Sequence, residues 1–121
     1  MNEKKDGEKL TFAIDFDGTI VDKSFPDIGN ERESAVETMK QLQDDGHKIV
    51  LWTARSGEYK NNAVEWLKEK GFTPDAVNKN PKNCKVFSFP KVFADVYIDD
   101  RNFPPMTNWK DVKDKYLKKN E

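Results

Sequence analysis

Short apolar runs alternate along the chain with stretches in which apolar residues recur at helical spacing. Residues 10–16, LTFAIDF, are dense in apolar and β-favouring residues and closed by Gly18, the pattern of a buried strand. Residues 31–45 carry Ala35, Met39 and Leu42 on one stripe and predict a helix. Asn30 and Glu33 have the spacing of its N-terminal cap, and Gly46 supplies its stop. HKIVLWT, residues 47–53, predicts a second buried strand. Ser56 can cap a helix with the stripe Tyr59, Ala63, Trp66 and Leu67, ended by Gly71. DAVN at 75–78 and ADVYID at 94–99 predict two more strands, and Asn108 can cap a last helix with Trp109, Val112 and Tyr116 inward. Residues 79–93, KNPKNCKVFSFPKVF, show no helical pattern and read as a long loop on the active side.

Strands alternating with helices call for a parallel sheet with right-handed crossovers. Strands that are apolar throughout expect helices on both faces. The expected fold is thus a three-layer, Rossmann-like α/β fold with the first strand central and the order 4-1-2-3. The 121 residues suit one domain. About 14 residues separate the first strand end from the first helix, too few for a folded cap domain, and 79–93 is also too short. The site is therefore expected to be open.

Ligands in such sheets bind beyond the carboxyl ends of the strands. The polar residues gather there, as DFDGT, WTAR, VNKN and YIDDR. Asp15 and Asp17, two positions apart at a strand end, point to the same side with Cα atoms roughly 6–7 Å apart. Such a pair costs desolvation and mutual repulsion, and Asp99 and Asp100 arrive from another strand. Four acids at one point demand a cation, and hard oxygen donors select Mg²⁺. No histidine or thiolate accompanies them, which argues against zinc. A calcium loop fails on spacing, since in DFDGTIVDKSFP glycine comes fourth and Pro26 takes the place of the closing glutamate. Thr53 adds a hydroxyl and Lys91 a positive charge, the parts phosphoryl transfer needs, and a carboxylate can attack phosphorus.

Composition narrows the field. Lysine plus arginine number 21 against 22 acids, a net charge of −1, so no whole-molecule field draws nucleic acid or anionic membrane. The first nine residues, MNEKKDGEK, hold no apolar signal core, and no apolar run approaches membrane-spanning length. The one cysteine, Cys84, excludes an internal disulfide and reads as a bystander, which fits the cytoplasm. His47 reads as structural, Trp52, Trp66 and Trp109 as core anchors, and KDKYLKK near the C-terminus as a solvated helix face.

DFDGTI, LWTAR, a lysine and YIDD in this order resemble the four motifs of the haloacid dehalogenase-like (HAD) phosphatase superfamily, over roughly residues 10–103. PDIGNE, LWTARSGE, VNKN and ADVYIDDRN further resemble small capless hydrolases of bacteria and phages. The resemblance implies Asp15 as nucleophile and Asp17 as general acid, then base. It implies Thr53 on the transferring phosphoryl group and Lys91 orienting nucleophile and phosphate. Mg²⁺ would be held by Asp15, the Asp17 backbone carbonyl and Asp99, with Asp100 assisting through water. Lys91 precedes Asp99 by eight residues and has Lys79, Lys82 and Lys85 as rivals; it is favoured because it leads directly into the fourth strand. Substrate contacts are expected from Gly18, Thr53, Ala54, Arg55, Asn78 and Arg101. Arg55 and Arg101 read equally as solvated charges, and Asn78 and Asn80 equally as turn residues.

The expected activity is Mg²⁺-dependent hydrolysis of a phosphomonoester through an aspartyl-phosphate, with a phosphorylated small molecule as substrate. Polynucleotide 3′-phosphatase and phosphotransferase activity are the enzyme alternatives, nucleic acid being disfavoured by the lack of a basic or aromatic stripe. A catalytically silent binding or regulatory module is the alternative of another class. An open site either accepts bulky substrates or is shielded by a partner copy, which leaves a homo-oligomer open.

Overall fold

The computed structural model describes residues 8–79, 94–101 and 108–117. Four strands form one parallel sheet in the order β3-β2-β1-β4, the expected order read from the opposite edge. They are β1 (Thr11–Ile14), β2 (Lys48–Leu51), β3 (Ala76–Val77) and β4 (Val96–Ile98), with α1 (Ala35–Asp44), α2 (Gly57–Glu69) and α3 (Trp109–Tyr116) between and after them. β1 is flanked on both sides, Ala13 lying opposite Val50 of β2 and Tyr97 of β4. Its Phe12, Ala13 and Ile14 are therefore buried on both faces of the sheet.

Side-chain alternation splits the core. Phe12, Ile14, Ile49, Leu51 and Ile98 join Met39 and Leu42 of α1, Ala63 and Leu67 of α2, and Trp109 and Val112 of α3 in one large cluster. Ala13, Val50 and Ala76 face the other way in a small cluster, with Trp52 and Ala94 packed against it. The chain steps from β1 to β2 to β3 in one direction, so right-handed crossovers place α1 and α2 on the same face. Helices were expected on both faces; all three described helices pack on one, and the connection from β3 to β4 lies largely outside the described residues.

The helix starts and stripes differ from expectation in two places. Residues ahead of α1 first pair with the loop after β1, through the Val21–Glu31 bridge and the Asp22 N–H to the Asn30 carbonyl at 2.9 Å. Asn30 is thereby taken up, Ser34 becomes the N-cap residue at φ 68°, and the Glu31 carboxylate accepts the Val36 N–H at 3.1 Å instead. Tyr59, expected on the inward stripe of α2, is 46% exposed and packs edge-on against Phe25. Asn108 caps α3 as expected, accepting the Asp111 N–H at 2.9 Å. Between β1 and α1 the chain makes turns and two isolated bridges and no folded insert. No described helix is long and apolar enough to cross a membrane.

Candidate active site

β1 ends at Ile14, so Asp15 and Asp17 stand just beyond the carboxyl end of the central strand. Asp99 and Asp100 follow β4 directly, and Thr53 lies two residues past β2. Strand order reverses between β1 and β4, the place where such sheets open a crevice. An open cleft of about 890 Å³ lies there, lined by Asp15, Asp17, Thr53, Ala54, Arg55, Asp99, Asp100 and Arg101 among others.

One carboxylate oxygen from each of Asp15, Asp99 and Asp100 lies within 4.8 Å of the others. The Asp17 side chain stands outside this trio. Burial, then repulsion from Asp99, pushes Asp15 up to about 7, against a hydrogen bond from the Phe16 backbone. Burial pulls the same way on Asp100, but the Lys23 ammonium at 3.1 Å prevails and its pKa falls below the usual value. Thr19, fully buried, bridges the two strand ends: its hydroxyl donates to Asp15 Oδ2 at 3.3 Å and accepts the Asp100 N–H at 3.1 Å. The Thr19 carbonyl in turn accepts from the Trp109 indole at 2.8 Å, which ties α3 to the site.

Gly18 contributes by what it lacks. At φ 87°, a Cβ there would meet Asp100 Oδ2 at 2.5 Å and Lys23 Cε at 2.9 Å. Its N–H donates to the Val21 carbonyl at 2.7 Å, so the residue expected to offer a donor to substrate instead closes its own turn. Asn78 likewise faces the protein. It adopts φ 54°, its side-chain oxygen accepts the Thr53 N–H and its amide donates to the Thr53 carbonyl, both at 2.8 Å. The side chain thus acts as a strand partner that holds the end of β2. The Thr53 hydroxyl accepts the Arg55 N–H at 3.1 Å.

Arg55 departs most from the expectation of a substrate contact. Its guanidinium is 1% exposed and forms a two-pronged pair with Asp17, Nε to Oδ2 at 2.7 Å and Nη2 to Oδ1 at 2.8 Å. Ala54 and Arg101 line the cleft, Arg101 exposed and its N–H on Asp99 Oδ1 at 2.9 Å. Lys91, Lys82, Lys85, Asn80 and Cys84 lie outside the described residues. The sequence reading assigned no role to Thr19, Lys23 or Phe25, all in or against the cleft. Thr19 stood within DFDGTI, but nothing local marked Lys23 or Phe25.

The sequence profile of the haloacid dehalogenase-like hydrolases matches residues 12–80, more than half of the chain. The chain belongs to this family. A solved structure of a conserved protein from Bacteroides thetaiotaomicron is 40% identical, with a TM-score of 0.81 and 87% of each chain covered. A Bacillus cereus protein whose name proposes a nucleotidase is 47% identical over 38 residues, 31% of this chain. The matched stretch spans 20% of that relative's length. The HAD hydrolase fold thus accounts for the acid-lined cleft at the strand ends.

Proposed function

We propose that this HAD hydrolase is a phosphatase that hydrolyses a phosphomonoester through an aspartyl-phosphate on Asp15, with Mg²⁺ as cofactor. The observation that carries the reading is the Asp15–Asp99–Asp100 trio, set in one cleft with the Thr53 hydroxyl. The trio fits Mg²⁺: its donors are all hard oxygens, and burial with mutual repulsion leaves Asp15 ionised with difficulty unless a cation offsets it. Asp15 and Asp99, with the Asp17 backbone carbonyl, would hold the ion and Asp100 would assist. Bound Mg²⁺ would offset the charge between the attacking carboxylate and the phosphate dianion.

In the first half, an Asp15 oxygen attacks phosphorus, its bond to phosphorus forming as that to the leaving oxygen breaks. Asp17 gives the leaving oxygen its proton. In the second half the Asp17 carboxylate takes a proton from water attacking the phosphorus, and the Asp15–phosphorus bond breaks to release inorganic phosphate. Thr53 and Lys91 hold the phosphoryl oxygens, with Thr53 steadied by Asn78. Substrates to try first are phosphorylated small molecules, nucleoside monophosphates among them because of the Bacillus cereus relative's name. The cytoplasm is the compartment this reading assigns.

Turnover of nitrophenyl phosphate with Mg²⁺ and with chelator tests the reading. Activity that chelator abolishes and Mg²⁺ restores, with one phosphate on Asp15 after acid quench, is the expected result. Full activity without metal, or a labelled Asp15→Asn variant, overturns it, and no turnover of any phosphate ester favours a silent module.

A further inference from the structure

The Arg55 guanidinium lies at the cleft, yet each of its N–H groups is engaged by protein. Nε and one Nη2 hydrogen go to the two Asp17 oxygens, and the other Nη2 hydrogen goes to the Asp27 carbonyl at 2.8 Å. Nη1 reaches the Pro26 and Tyr59 carbonyls, both at 3.4 Å. The charge lies 5.2 Å from the Phe16 ring centre and 5.0 Å from that of Phe25. No donor remains for a substrate phosphate.

We infer that Arg55 is a positioning residue that aims the Asp17 carboxyl group at the reacting oxygens, a role that rests on the phosphatase reading above. A planar fork on both carboxylate oxygens fixes the rotation of that group, which a single ammonium contact leaves free. Each Asp17 oxygen keeps a further lone-pair direction for proton exchange. The fork is itself fixed from two sides, by carbonyls of the loop at 26–27 and of the first turn of α2, while the Thr53 hydroxyl holds the Arg55 backbone N–H. Arg55 therefore links the phosphate-binding end of β2 to the proton-transferring acid after β1.

Pre-steady-state kinetics with nitrophenyl phosphate and with an alkyl phosphate test the role. Nitrophenolate leaves without protonation, so its release in the first half does not need Asp17, whereas breakdown of the phosphoenzyme does. Arg55→Lys should keep a burst of about one nitrophenolate per site, then turn over on the order of 10–100-fold slower than the native chain, with KM falling in step so that kcat/KM changes less than about threefold. The alkyl phosphate should lose its first half as well and show no burst. In an Asp17→Asn background, Arg55→Lys should cost little more, because both changes act on one group. Should Arg55→Lys not fold, Arg55→Gln, which retains a donor for Asp17, is read in the same way.

A burst that shrinks in proportion to steady-state rate would show loss of folded protein alone and overturn the role. A raised KM with unchanged kcat would make Arg55 a substrate contact and overturn it too. Native turnover with an unaffected Arg55→Lys removes this inference and leaves the phosphatase reading standing. No turnover by the native chain removes both.

Discussion

Asp15 carries opposing demands at a single residue. Burial and the charge of Asp99 raise its pKa from 3.8 to about 7, yet the proposed chemistry needs it ionised. A carboxyl raised on folding contributes stability that is present below its unfolded pKa and lost as pH rises through the folded value. Metal-free protein should therefore lose stability from Asp15 between about pH 4 and pH 7. His47 acts oppositely: burial, then Lys9, lowers its pKa, so its contribution is lost as pH falls below 6.5. Comparison with Asp15→Asn isolates the acid. In chelator, that variant should be the more stable at pH 8, by a margin that shrinks as pH falls below 7, and Mg²⁺ should reverse the order. Chemical denaturation at several pH values reads this directly. Asn78 permits a second prediction at this scale. Asn78→Ala deletes both bonds to Thr53 and puts a less tolerant residue at φ 54°, so kcat should fall by about tenfold or more. Unchanged kinetics in a folded Asn78→Ala protein would leave the end of β2 without need of this support.

The elements were legible in outline because their signals are local. Apolar runs at 10–16 and 47–53 mark β1 and β2, and the Ala35–Met39–Leu42 stripe marks α1. Starts and faces were less legible where a distant segment intervened. Asn30 could not be seen as engaged by Asp22, nor Tyr59 as lying over the Phe25 loop rather than the sheet. At α3 no such competitor exists among the described residues, and the cap residue stands as read. Asn108→Ala should accordingly cost about 1 kcal/mol in urea denaturation, the usual loss of such a cap. Trp109→Phe should keep most of the packing of α3 but release the Thr19 carbonyl, and through it loosen the joint between Asp15 and Asp100. It should lower affinity for Mg²⁺, measured by titration, while the native helix content persists in circular dichroism.

For the molecule as a whole, near-neutral charge and an open cleft set the expectations. A small phosphomonoester should show a kcat/KM that changes less than about threefold between 50 and 200 mM salt, as few ionic contacts are made. A 3′-phosphorylated oligonucleotide with a steep salt dependence and a higher kcat/KM would instead favour the polynucleotide alternative. The third-motif lysine, expected at Lys91 with Lys79, Lys82 and Lys85 as rivals, is assigned by substitution in turn. Lys91→Ala should reduce turnover on the order of 10²–10³-fold, with Lys79→Ala, Lys82→Ala and Lys85→Ala milder. A larger loss at Lys82 than at Lys91 would reassign the role.

By itself the sequence determined the parallel sheet, its strand order and the acids at its carboxyl edge. Apolar runs, crossover handedness and strand length are properties of neighbouring residues and general geometry, and DFDGTI and YIDD sit directly on strand ends. Tertiary structure alone decided which polar groups face the cleft and which face the protein. Arg55 and Asn78 look like ligands in a string of letters, because their donors and acceptors are visible there and their partners are not. Folding brings Asp17, 38 residues away, to Arg55, and Thr53, 25 residues away, to Asn78. A side chain whose hydrogen bonds are satisfied across such distances becomes part of the frame of the site, and only the three-dimensional packing reveals which groups those are.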